Sequence, residues 1–259
     1  MILASWNVNS IKVRLPNVIK YLNDYQPDVL VLQETKVTDD VFPSDELKSA
    51  GYHSVYCGQK TYNGVAIITK KKPSSCVYNP VYLDKQEMRS IEVEYEKVNI
   101  LNVYVVNGKS IDSDKYQYKL DWLQSLYNYS SKILSKTNKF IILGDFNIAP
   151  TDNDVPDPQS SKDQILCSDL ERDSLKQITG LGLFDLFNKF DFPKNTYTWW
   201  DYRAGCFHRD IGYRIDLILA TKAIADKCSD YFIDKDTRHK SWCPEEPRTS
   251  DHAPVRIII

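Results

Sequence analysis

Asp145 and Asn147 leave a short apolar run, Phe140 to Leu143, with one residue between them. A carboxylate and a carboxamide at the mouth of a buried strand are costly to dehydrate unless something uses them. Taken alone, Gly144-Asp-Phe-Asn reads more readily as a turn. The same arrangement recurs elsewhere. Glu34 follows Val29 to Gln33, Asp216 sits inside an Ile- and Leu-rich run, Asp251 and His252 precede Ala253 to Ile259, and Asn7 follows Ile2 to Trp6. Singly, each is more often structural than catalytic. Asp216 fits a structural role least, because an unpaired aspartate is rarely buried. If the strand ends are aligned, carboxylates, two carboxamides and one imidazole meet. Carboxylates a few ångströms apart raise one another's pKa, and a hard divalent cation relieves that repulsion. Oxygen ligands without thiolates point to Mg²⁺ or Mn²⁺ rather than zinc. Such a group suits phosphodiester hydrolysis. The metal stabilises charge on phosphoryl oxygens, a carboxylate takes a proton from water, and Asn and His donate hydrogen bonds to the non-bridging oxygens. A buried Asp behind the His would aim its ring.

The elements that must position these residues follow from periodicity. Strands are predicted over residues 1–6, 28–33, 52–57, 64–69, 140–143, 215–220, 227–233 and 254–259. Gly144 is expected to end its strand and turn the chain. Residues 77–83 are weakly strand-like. Residues 89–95 alternate like a half-buried strand and pair with 98–106 across a tight turn. Helices are predicted over 13–25, 42–50, 114–136 and 169–179, with Pro16 near the start of the first, and residues 153–162 as an acidic, Pro-rich loop. Strands throughout, with few helices between them, predict one α+β domain of two packed sheets with helices outside, spanning residues 1–259.

Composition excludes several classes. The chain has 42% apolar and 26% charged residues, as a soluble globular protein does, and no run reaches the ~18 apolar residues of a membrane span. The first residues read directly as a strand, without a basic region or cleavage site, so a cytoplasmic location is expected. Six scattered cysteines form no C-x-x-C pair, and reduced thiols are expected. A net charge of −2 argues against non-specific coating of nucleic acid but leaves room for a local basic surface.

Seven motifs, in order, resemble the exonuclease III family of DNA-repair nucleases: SWNVNS from Ser5, VLQETK from Val31, NGVAI from Asn63, GDFNIAPTDNDV from Gly144, TWWDYR from Thr198, GYRIDLIL from Gly212 and SDHAPV from Ser250. The resemblance runs from end to end. It implies a four-layer αββα sandwich of the DNase I-like, endonuclease/exonuclease/phosphatase type. The implied activity is Mg²⁺-dependent cleavage of double-stranded DNA 5′ to abasic sites, and at 3′ ends, by a monomer. Residue by residue, Glu34 resembles the main metal ligand, helped by Asn7, Asn9 and Asp251. Asp145 resembles the residue that activates water, Asn147 the transition-state donor, and His252 the phosphate contact with Asp216 as its partner. Tyr104 resembles the active-site tyrosine. Asp152, Asp154 and Asp157 become a structural loop.

Between Tyr197 and Arg214, Trp199, Trp200, Tyr202, Phe207 and Tyr213 mix with Arg203, His208, Arg209 and Arg214. Neighbours on a strand face opposite ways, so one of Trp199 and Trp200 belongs to the core. The remaining residues could form a DNA-entering loop, with aromatics beside a flipped abasic sugar and arginines on phosphates. The family's abasic pocket lies here, and Trp199 and Tyr213 are the candidates, with Arg203 and Arg209 beside them. Lys70 to Lys72 and Lys235 to Lys240 are further backbone contacts to be tested. Two other readings stand: a phosphodiesterase or phosphatase of the same fold acting on a lipid or inositol phosphate, and a DNA-binding protein with a dead site. The second predicts a missing carboxylate, and none is missing.

Overall fold

The computed structural model describes residues 1–83 and 87–259. Its strands are β1 (Ile2–Asn7), β2 (Val29–Gln33), β3 (His53–Cys57), β4 (Val65–Thr69), β5 (Ser75–Tyr78), β6 (Ser90–Tyr95), β7 (Val98–Tyr104), β8 (Phe140–Asp145), β9 (Leu183–Asp185), β10 (Asp216–Thr221), β11 (Asp230–Ile233) and β12 (Val255–Ile258). The main helices are α1 (Ile11–Tyr25), α2 (Ser44–Ser49), α3 (Asp114–Leu134), α4 (Pro158–Ser161) and α5 (Asp169–Gly180). The strands form two mixed sheets, ordered β11-β12-β1-β2-β4-β3 and β5-β6-β7-β8-β10-β9.

Alternation along each central strand produces the layers. Leu3, Val29, Val31, Val65 and Ile67 of the first sheet face Ile91, Val93, Ile100, Ile141, Leu143 and Ile218 of the second. The intervening residues point outward: Ala4, Trp6, Leu30 and Leu32 under α1, Leu101, Phe140, Ile142 and Leu219 under α3 and α5. The result is a four-layer αββα sandwich, the layering that the resemblance implies. A polar tie crosses the apolar interface between the sheets. Gln33 Nε2 donates to Asn102 Oδ1 at 2.7 Å, and Asn102 Nδ2 donates to the Leu32 and Ala66 carbonyls at 2.9 Å each. An unmade bond at this depth is expensive, so the tie fixes how the two sheets register.

Several local expectations need correction. Gly144 does not end its strand but lies within β8, opposite Val103 and Leu217. Its φ is 149°, and a Cβ there would stand 1.9 Å from the Val103 carbonyl oxygen, so close backbone approach demands glycine. The strand expected over 77–83 is Ser75–Tyr78, and residues 84–86 lie outside the described chain. β6 is buried on both faces rather than one: on its outer side Ser90 bonds the Val81 backbone and Glu92 meets Tyr129 of α3. Residues 153–162 are not a plain loop. Thr151 and Asp154 form a capping box over one 3₁₀ turn, and the Asp157 side chain accepts from Gln159 N to start α4. β9, three residues long, carried too short a pattern to be read.

Candidate active site

Strand pairing alone assembles most of the site. β7 and β8 run parallel with Tyr104 beside Asp145, and β10 runs antiparallel with Asp216 on Asp145's other side. In the first sheet, Asn7 pairs with Gln33 at the ends of β1 and β2, and Glu34 follows. The two sheets thus deliver their polar strand ends to one rim. Asn7 Nδ2 joins them, 2.8 Å from Glu34 Oε1 and 2.9 Å from Asp145 Oδ2.

The loop before β12 supplies the imidazole. Ser250 Oγ donates to the Asn7 carbonyl at 2.6 Å, and Trp6 Nε1 to the His252 carbonyl at 3.1 Å. His252 Nδ1 then lies 2.9 Å from Asp216 Oδ2, and Nε2 lies 3.8 Å from Asp145 Oδ2. Burial opposes a charged imidazole here. The negative charge and hydrogen bond of Asp216 outweigh it, helped by Asp145 and Asp251, and hold His252 at about 10. Burial pushes Asp145 the unusual way for an acid, up to about 7, with the charges of Asp216 and Glu34 adding to it against His252 and the Asn7 bond. Half-buried Tyr104 is raised well above its ordinary value by desolvation and by the charges of Glu34 and Asp145, and its hydroxyl hydrogen-bonds Glu34.

Among the described residues, Glu34, Asp145 and His252 place ligand atoms within 4.8 Å of one another. Crowded acids with one carboxyl pushed toward neutrality suit a hard cation: positive charge relieves what burial and repulsion impose. Asn9 and Asp251 stand one step away from this group. Asn9 Nδ2 donates to Asp251 Oδ1 at 3.0 Å, and Trp199 Nε1 donates to Asp251 Oδ2 at 3.0 Å. Three of these residues hold the left-handed backbone that non-glycine residues avoid: Asn9 (φ 45°), Glu34 (φ 53°) and Asn147 (φ 50°). Asn147 N donates to Asp145 Oδ1 at 2.9 Å, and its side chain is held by Asn107 Nδ2 at 3.0 Å.

The aromatic segment divides as strand geometry predicts. Trp200 is fully buried, packed on Tyr197 and the partly buried Phe207, whereas Trp199 packs on Tyr213 and His252, with ring centroids 5.9 and 6.4 Å away. Arg203 and Arg209 are exposed. Arg203 is paired with Asp201 at 2.6 Å, and among the described residues no contact ties either arginine to Glu34, Asp145, Asp216 or Asp251. Arg214 cannot hold a phosphate. It is 1% exposed and bound to Asp154 and Asp185 at 2.6 and 2.9 Å. Lys70 to Lys72 lie at the wrong end of the sheet, because Thr69 pairs with Val29 while Val65 pairs with Gln33 at the site. Sequence reasoning passed over Lys36, which reaches Glu34 at 2.7 Å and Asn9 Oδ1 at 2.5 Å, although it stands in the same VLQETK motif. It also passed over Lys119, whose signal was a lysine on the helical stripe of Tyr116, Trp122 and Leu126.

Fold and site together define a class. Residues 4–252 match the Endonuclease/Exonuclease/phosphatase family, and the chain belongs to it. Within that family it is 33% identical to exodeoxyribonuclease III of Haemophilus influenzae, over 97% of each chain. A solved structure of a variant of the 3′ phosphatase NExo from Neisseria, bound to a product DNA hairpin, has a TM-score of 0.95 and 40% identity, covering 100% of this chain and 99% of that one. An AP endonuclease from Archaeoglobus fulgidus has a TM-score of 0.93 and 37% identity, with the same coverage.

Proposed function

We propose that this chain is a metal-dependent DNA-repair nuclease. It hydrolyses phosphodiesters 5′ to abasic sites and trims the 3′ ends of duplex DNA, acting as a monomer through one domain of residues 1–259. The observation that carries this reading is the convergence of both sheets on one rim, where Asn7 bridges Glu34 and Asp145 and Asp216 backs His252. Similarity to nucleases favours DNA over a lipid or inositol phosphate.

Glu34 would hold the metal, Mg²⁺ by preference and Mn²⁺ as a substitute, with Asn7, Asn9 and Asp251 about it. When bound, the metal supplies charge to the phosphoryl and leaving oxygens. Asp145 accepts the proton of the attacking water, for which a carboxylate near neutrality is well matched. His252, kept cationic by Asp216, and the free N–H of the Asn147 amide donate to the non-bridging oxygens. Tyr104 supports the phosphate from the Glu34 side. Trp199 and Tyr213 face the sugar next to the cut, and Arg203 and Arg209 hold the DNA backbone.

The test is incubation with a duplex carrying one abasic site, with and without Mg²⁺. Metal-dependent incision 5′ to the site is expected. Intact binding without incision under any divalent cation would overturn the enzymatic reading.

A further inference from the structure

Lys119 of α3 and Glu171 of α5 form an ion pair in which both side chains are fully buried. A buried pair of this kind is a poor source of stability, since apolar residues of similar volume often do as well. What apolar residues cannot supply is direction. The Lys119 ammonium has three N–H groups and three acceptors: Glu171 Oε1, the Asn147 carbonyl at 2.6 Å and the Asn107 carbonyl at 3.3 Å. Glu171 is itself anchored by Leu166 N at 3.1 Å, Ser168 N at 3.0 Å and Ser168 Oγ at 2.6 Å. The pair therefore reaches from the α5 N-terminus, through the outer layer, to the backbone of a residue with left-handed φ at the reaction centre. The second carbonyl it holds belongs to Asn107, whose side chain in turn holds the Asn147 amide.

We propose that Lys119 is a positioning residue for the reaction: fixed by Glu171, it holds the Asn107 and Asn147 backbones so that the Asn147 amide meets the phosphate only in one geometry. This rests on the nuclease reading of Asn147 given above. Lys119 touches no reacting atom, and its effect passes entirely through Asn147.

Replacing both charges together, Lys119→Met with Glu171→Gln, avoids stranding one buried charge. In steady-state assays on an abasic duplex, kcat should fall on the order of 10- to 100-fold while KM stays within about threefold. On an Asn147→Ala background the same pair should lower kcat by less than about threefold, because residues acting as one unit are not additive. Lys119→Arg alone, which keeps the charges paired but moves the donors off the two carbonyls, serves as a milder variant. It should lower kcat several-fold in the wild type and not on the Asn147→Ala background. Equal losses on both backgrounds, or wild-type kcat in either variant, overturn the proposal. Wild-type kcat in Asn147→Ala itself overturns the nuclease reading of Asn147 and this inference with it. A slow Asn147→Ala beside a fast Lys119→Met/Glu171→Gln overturns this inference alone.

Discussion

His252 Nδ1 lies 2.9 Å from Asp216 Oδ2, so a loop of the first sheet is bound to a strand of the second at the point where both meet the rim. Asp216 is wholly buried and has no other charged partner of comparable proximity among the described residues. Its carboxylate both aims the ring and keeps it charged. Asp216→Asn should therefore lower kcat on the order of 100-fold or more, with a smaller change in KM. Steady-state kinetics on an abasic duplex check this, and a variant with wild-type kcat would show that His252 needs no partner.

The same pairing sets a pH dependence in the chelated protein. His252 moves from an ordinary 6.5 up to about 10 in the folded state. Its stabilising charge is present below 6.5 and is lost as pH rises toward 10. Asp145 moves from 3.8 up to about 7, so the folded state keeps a proton that the unfolded chain has released, and stability again falls as pH rises from 4 through 7. Both groups act in one direction. In EDTA, stability from urea titrations should decline from pH 5 to pH 10, and His252→Asn should flatten the upper half of that decline. Added Mg²⁺ should stabilise more at pH 8 than at pH 5, because binding displaces the proton on Asp145. A chelated protein more stable at pH 9 than at pH 5 would contradict these assignments.

Much of this was legible in the residues, for identifiable reasons. The sandwich follows from strand alternation, and the polar residues at strand ends become one site because Tyr104, Asp145 and Asp216 fall in register on neighbouring strands. What was hidden is what depends on partners far along the chain. Arg214 looked like a phosphate contact, yet Asp154 and Asp185 claim it. Lys70 to Lys72 looked like a DNA-facing run, yet antiparallel pairing carries them away from the site. Lys119 drew no reading at all, because its buried partner Glu171 stands fifty-two residues later.

Gly144 offers a test of how tightly β7 and β8 approach. A methyl group there would stand 1.9 Å from the Val103 carbonyl oxygen, on a backbone with φ 149°. No flexible side chain can yield, since the obstacle is the neighbouring strand. Gly144→Ala should destabilise the fold by about 3 kcal/mol or more, read from urea unfolding, and should reduce incision because Asp145 is the next residue. A change within about 0.5 kcal/mol, as for an ordinary surface substitution, would mean the strands can part without cost.

The central claim is that Asp145 takes the proton of the attacking water while other groups bind the DNA. Asp145→Asn keeps the shape and removes the base. The decisive measurement is single-turnover incision of an abasic duplex by this variant in Mg²⁺, with DNA affinity measured on the same substrate. Incision should fall at least about 1,000-fold, as loss of both the base and a nearby charge requires, while Kd stays within about threefold. Cutting at the wild-type rate would contradict the account at its centre.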